Sequence, residues 1–230
     1  MDAPIPYRIV RTKRRRRTLS LCIEHDGLVV IRAPYGIPTS VVEEFFNEKK
    51  PWIYRKLRQM PLGRREPKPK EFVSGEEFLY LGGSYPLGII EHADHRRPLV
   101  LSDDRFCLDE RHRDKARDLF IRWYKEQAEI TLRERLKFFS RQLQLFPQRE
   151  RISSARHQWG GCSPKNTVSF SWRLVMAPLP IIDYIVVHEL AHIKEKNHSP
   201  RFWKIVETTL KDYRERRDWL KRNGHRLSFE

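Results

Sequence analysis

Cysteine is scarce, with three in 230 residues, at Cys22, Cys107 and Cys162. An odd number without C-x-x-C spacing argues against a disulfide framework and suits reduced thiols in a cytosolic protein. Long apolar runs are missing too. No stretch approaches the roughly 18 residues that a membrane-spanning helix needs. Arg8 and the basic run behind it interrupt any apolar signal segment at the N-terminus. No G-x-x-x-x-G-K-[ST] loop occurs, so any phosphate would have to be held by side chains. Acidic residues are in deficit, 30 against 46 basic, which leaves a net charge of +16. Such an excess favours polyanionic partners, nucleic acid or nucleotide phosphates among them. Arg11 and Lys13 to Arg17 place six basic residues in seven positions. They form an electrostatic footprint without a groove-reading motif, and equally suit a solvated strand edge that resists edge pairing. With 39% hydrophobic and 33% charged residues, the chain can bury a core beneath a heavily charged surface.

What is present is concentrated near the end. His188-Glu189-Leu190-Ala191-His192 is an H-E-x-x-H pentad, and His198 follows six residues later. Two histidines four apart sit about 40° apart around a helix, one turn above each other, so both imidazoles reach one ion. Zinc takes neutral imidazole in tetrahedral coordination, and three protein ligands leave the fourth position open, as a catalytic site requires. Glu189, beside the first ligand, is placed to take a proton from water and return it to a leaving amine. A bare pentad arises by chance in roughly one chain in a hundred of this size. The apolar helix beneath it and the third histidine set this one apart.

Ala177-Pro178-Leu179-Pro180 predicts the start of that helix, with Asp183 in or near its first turn. Ile182, Ile185, Val186 and Leu190 supply its apolar face. Asn197 suits a left-handed helix end that would swing His198 back. Ser199-Pro200 reads as an N-cap and first helical residue, with Phe202, Trp203, Val206 and Leu210 continuing an apolar stripe. The spacing to His198 matches H-E-x-x-H-x-x-G-x-x-H, except that Glu195 stands where that pattern has glycine. The turn must then be made differently, and Glu207 or Glu215 are alternative third ligands.

The stretch Val186 to His192, with Asn197-His198-Ser199-Pro200-Arg201-Phe202-Trp203, resembles the YgjP-like metallopeptidases, zincins related to the SprT-like and WLM proteases. Trp159-Gly160-Gly161-Cys162-Ser163 and the segment Val168 to Leu174 are similar to that family's W-G-S-C-S motif and following strand. Gly161 departs from its serine and Ser171 from its common asparagine. The resemblance implies His188, His192 and His198 as zinc ligands and Glu189 as catalytic base. It implies peptide hydrolysis, and one branch of the family carries an attributed UTP pyrophosphatase activity.

Along the chain, residues 7–32 read as strands with a turn at His25-Asp26-Gly27. Ser40 and Glu43 read as a capping box opening a helix that Pro51 kinks or splits. Residues 61–70 read as an exposed connector, and Phe78 to Ile90 and Leu99 to Leu108 as hairpins. From 110 the apolar period becomes helical as far as Leu145. Strands follow at 151–154 and 167–173, then the pentad helix, a helix in the 200s and a basic one near 212–223. The expected fold is α+β: a β-rich N-terminal region with one helix over 1–109, and a helical zincin-like domain with a small sheet over 110–230.

The expected function is zinc-dependent peptide hydrolysis in the cytoplasm, with a strand edge near Thr167–Arg173 receiving substrate. Arg156, His157 and Tyr213 are candidates for a second electrophile, and Cys162 for a thiol packed under the site. The alternatives are nucleoside triphosphate pyrophosphatase activity, or a nucleic-acid-associated protein with a structural zinc.

Overall fold

The computed structural model describes residues 5–12, 18–23, 28–59, 69–91, 97–156 and 158–228. The basic run 13–17, the turn expected at 25–27, most of the 61–70 connector and His157 lie outside the described residues. The fold is α+β, and the chain divides into two compact units, Met1–Lys68 and Pro69–Glu230.

The first unit holds β1 (Tyr7–Thr12), β2 (Ser20–Ile23), β3 (Val29–Pro34) and α1 (Thr39–Gln59). β3 is the central strand, parallel to β1 and antiparallel to β2. Alternation along β3 buries Val29, Ile31 and Ala33 in one cluster with Val42, Phe46 and Ile53 of α1. Arg11, expected in the basic footprint, turns inward instead. Its guanidinium donates to the carbonyls of Pro34 and Ile37 and to Thr39 Oγ1, tying β1 to the start of α1. The helix therefore opens at Thr39, which puts Ser40 inside its first turn rather than at a capping box. Pro51 lies within a continuous helix and does not split it.

In the second unit, β4 (Glu77–Tyr80), β5 (Gly83–Ile90), β6 (Leu99–Ser102) and β7 (Arg105–Asp109) form a sheet ordered β4-β5-β7-β6. A 3-10 turn at Glu110–Lys115, capped by the buried Asp109 carboxylate, leads into α2 (Ala116–Leu143). The grouping differs from a boundary at 109/110. Phe78 stacks on Phe120 of α2 at 4.0 Å, and Phe106 lies 5.0 Å from the same ring. Removing this sheet would strip one side of α2, so sheet and helix share a core.

A second sheet follows α2 in the chain. β8 (Arg149–Ser153), β9 (Gly160–Cys162) and β10 (Thr167–Ser171) form a sheet ordered β8-β10-β9. The chain leaves β10 through a 3-10 turn, Trp172–Met176, and enters α3 (Leu179–Lys194). α4 (Pro200–Thr209) and α5 (Tyr213–Asn223) complete the unit. Two long-range contacts fix α3. Asp183 forms a two-pronged ion pair with Arg135 of α2, at 2.6 and 3.0 Å, instead of serving the first helical turn. The β4–β5 turn, with Leu81 and Gly82 both at positive φ, donates its amides to the carbonyls of Val175 and Met176. A Cβ on Gly82 would sit 2.8 Å from Pro178, at the mouth of α3, so only glycine allows this approach. No helix among the described residues is long and apolar enough to cross a membrane.

Candidate metal centre

α3 is apolar on nearly every face. Ile181, Ile182, Ile185, Val186, Val187, Leu190 and Ala191 are all buried. Such a helix is sunk in the core, and His188, Glu189 and His192 are among its few polar residues.

His198 joins them. One ring nitrogen from each of His188, His192 and His198 comes within 4.8 Å of the other two. The Nε2 atoms of His188 and His198 stand 3.0 Å apart. Tetrahedral zinc–imidazole geometry separates ligand nitrogens by about 3.4 Å, so the three donors converge at the scale of one ion. His192 Nδ1 bonds the Glu195 carbonyl at 3.1 Å, which leaves Nε2 as its lone-pair atom. His198 lies against Trp203, with ring centroids 5.7 Å apart and nearly parallel. Burial, then the neighbouring His192 and His198, pull His188 down to about 3. Burial also lowers His192, partly offset by the Glu195 carbonyl. Both are therefore neutral at physiological pH, the form in which imidazole binds a metal. Geometry and protonation both suit the donor set to a metal ion.

The chain reaches His198 without glycine. α3 ends at Glu195, whose φ of −123° and ψ of 102° are extended, a conformation open to any side chain. Asn197 is not left-handed, contrary to expectation; among the described residues it has no positive φ. Ser199 caps α4 as anticipated, accepting from the Phe202 amide at 3.3 Å. Glu207 faces Arg214 at 3.7 Å, and neither it nor Glu215 belongs to the cluster.

Glu189 is 5% exposed, and among the described residues its Oε2 has no hydrogen-bond partner. Burial pushes its carboxyl up to about 8. β9 lies directly against it. A Cβ on Gly160 would fall 2.6 Å from Glu189 Oε1 and 2.7 Å from its Cγ. Gly160 is thus bare because the carboxylate occupies the space where its side chain would be. This role was not legible in the W-G-G-C-S segment; pairing 29 residues apart in sequence left no local signal.

β10, expected to offer an edge, is the middle strand of its sheet. The edges are β8 and β9, and β9 is the one against Glu189. Ser163 donates its amide to the Thr167 carbonyl, the Ser171 amide donates to the Trp159 carbonyl, and Gly161 pairs with Ser169. Alternation then turns the amides and carbonyls of Gly160 and Cys162 to the open side. Tyr213 is buried and stacked on the far side of Trp203, one ring removed from His198, and Arg156 is exposed. Neither is placed within the cluster. Cys162 is half-buried, its thiol raised first by burial, which suits packing rather than a nucleophile. Two residues the sequence did not single out border the centre. Tyr184 packs edge-on against His188 at 5.9 Å, and Arg217 lies over the Trp203 ring at 5.4 Å.

A family model described as YgjP-like, metallopeptidase domain, matches residues 17–223. A search of curated proteins returned no match. Among solved structures, the metallopeptidase zymogen of Pyrococcus abyssi abylysin is similar at 24% identity with a TM-score of 0.35, over 38% of this chain and 89% of that one.

The buried carboxyl sets a pH dependence. Its folded pKa of about 8 lies above its ordinary 4.5, so the folded chain keeps a proton that the unfolded chain has lost. Stability of the metal-free protein therefore falls as pH rises through that window. Glu189→Gln removes the titration. In chelator, the variant should gain on wild type by on the order of 3 kcal/mol between pH 5 and pH 8 in urea unfolding. A difference that stays flat across this range would contradict the burial of an unpaired carboxyl.

Proposed function

The chain belongs to the YgjP-like metallopeptidase family, and from that premise we propose that it hydrolyses peptide bonds at a zinc centre held by His188, His192 and His198, with Glu189 as general base. A metallopeptidase is a hydrolase that depends on a metal; the choice of zinc and these residue roles are our reading. The observation that carries it is the buried Glu189 carboxyl, one oxygen unpartnered among the described residues, beside three converging imidazoles.

Zinc bound there would supply a Lewis acid for the scissile carbonyl and lower the pKa of water in its open position. The chain's own residues do the rest. Glu189, which a neighbouring cation would hold ionised, accepts a proton from the attacking water and passes it to the departing amine. Gly160 keeps the carboxylate in place by leaving it room. An extended peptide adds antiparallel to the open edge of β9, bonding the outward amides and carbonyls of Gly160 and Cys162. Two glycines in a row on that edge allow close approach of a substrate backbone.

We favour peptide over nucleoside triphosphate as substrate. A polyanion would have to lie beside the buried Glu189 carboxylate, and the rings around the cluster, Phe202, Trp203 and Tyr184, offer no anion cradle. The net charge of +16 fits substrate proteins that are themselves bound to nucleic acid. A cytoplasmic setting is supported by the three unbridged cysteines, at positions without paired spacing.

Two variants test the mechanism on an unfolded protein substrate. Glu189→Gln should abolish turnover while zinc stays bound at about one per chain. Gly160→Ala should displace the carboxylate and lower kcat by about a hundredfold, the usual cost of a misplacement near 1 Å, again with zinc retained. Full activity in Glu189→Gln would refute the general-base role. Unchanged kcat in Gly160→Ala would show that the strand does not position it.

A further inference from the structure

The five residues between His192 and His198 contain no glycine, yet they must hold a ligand-bearing loop steady. Most of their polar contacts are internal. The Glu195 amide donates to Ala191, Ser199 Oγ to Glu195 Oε2, and the Ser199 amide to the Asn197 carbonyl. Lys196 is different. Its Nζ crosses to the β9–β10 hairpin, donating to Asn166 Oδ1 and to the Ser163 carbonyl at 3.4 Å, and lies 3.9 Å from Cys162 Sγ. Among the described residues it is the one polar side chain of this span that bonds outside the site's own helices.

The receiving end is built for the contact. Asn166 closes the hairpin in the left-handed region, at φ 55°, with its amide donating to Ser163 at 2.9 Å and its carbonyl accepting from Gln148 at 3.0 Å. Asparagine tolerates that conformation because its side chain can bond locally. Here the side-chain oxygen is turned to Lys196 instead. The same hairpin carries Gly160 against Glu189 and offers the open strand edge.

We propose that Lys196 and Asn166 form a positioning latch that holds His198 in register with the β9–β10 hairpin, so that the third ligand, the base and the substrate edge move as one element. The proposal rests on the reading of His198 as third ligand. Neither residue touches substrate or metal; both act through the loop between them. Supporting contacts of this kind change metal affinity by about ten- to a hundredfold when removed. An exposed lysine belongs at the low end of that range.

The test is zinc affinity, measured by competition with a chromophoric chelator, in wild type, Lys196→Met, Lys196→Arg, Asn166→Gly, the Lys196→Met/Asn166→Gly double variant and His198→Ala. Asn166→Gly keeps the left-handed turn and removes only the acceptor. Each single removal should weaken zinc binding about tenfold. The double variant should be no weaker than Lys196→Met, because the Asn166 side chain acts through Lys196. Lys196→Arg should recover most of the affinity. Wild-type affinity in Lys196→Met and Asn166→Gly, with His198→Ala weakened, would overturn the latch and leave the three-histidine reading intact. Losses that add in the double variant would also overturn it. Undiminished affinity in His198→Ala would overturn the three-histidine reading and the latch with it.

Discussion

A carboxyl group buried with no partner among the described residues for one of its oxygens is the constraint around which the second unit is arranged. Removing Glu189 from water raises its proton affinity and destabilises the metal-free fold at neutral pH and above. His188 and His192 are burdened in the opposite sense, since burial forbids them a proton. A divalent cation among the three imidazoles would relieve all of these costs together. It would give the lone pairs a common partner and favour the ionised carboxylate beside it. The strain is tolerable because the surrounding helix is almost wholly apolar and densely packed.

The fold's other features keep that group in place. Arg135 and Asp183 clamp α3 to α2, and the β4–β5 turn fixes where α3 begins. α2 is bonded to both supports, through Arg135 and through the Tyr124 hydroxyl, which donates to the Leu79 carbonyl beside that turn. β9 then sits on the carboxylate, bare at Gly160 because there is no room for a side chain. The strand that confines Glu189 is also the edge to which we assign the substrate. On that proposal, positioning and recognition both fall on a single three-residue strand.

Much of this was legible in the chain. The pentad on an apolar helix, Ser199 and Pro200 opening the next helix, and His198 as the converging third histidine all follow from spacings under a dozen residues. Local periodicity and capping chemistry are strong at that range. What was missed is long-range. Strand order decides that β9 and not β10 is an edge, and nothing in either segment records it. The Lys196–Asn166 contact spans 30 residues. Glu195 in place of glycine looked like an obstacle, but the loop turns through an extended residue and needs no positive φ. Arg11 looked like surface charge and is a structural tie, because a sequence cannot show which arginine in a basic run turns inward. The sheet of β4 to β7 belongs with α2 for the same reason: aromatic contacts across 40 residues outweigh the change of period at 110.

X-ray absorption at the zinc edge of the metal-loaded protein tests the central claim most directly. The account predicts three imidazole nitrogens and one further light atom at about 2.0–2.1 Å, with no sulfur. Two imidazoles, or a sulfur at about 2.3 Å from Cys162, would contradict an open three-histidine centre.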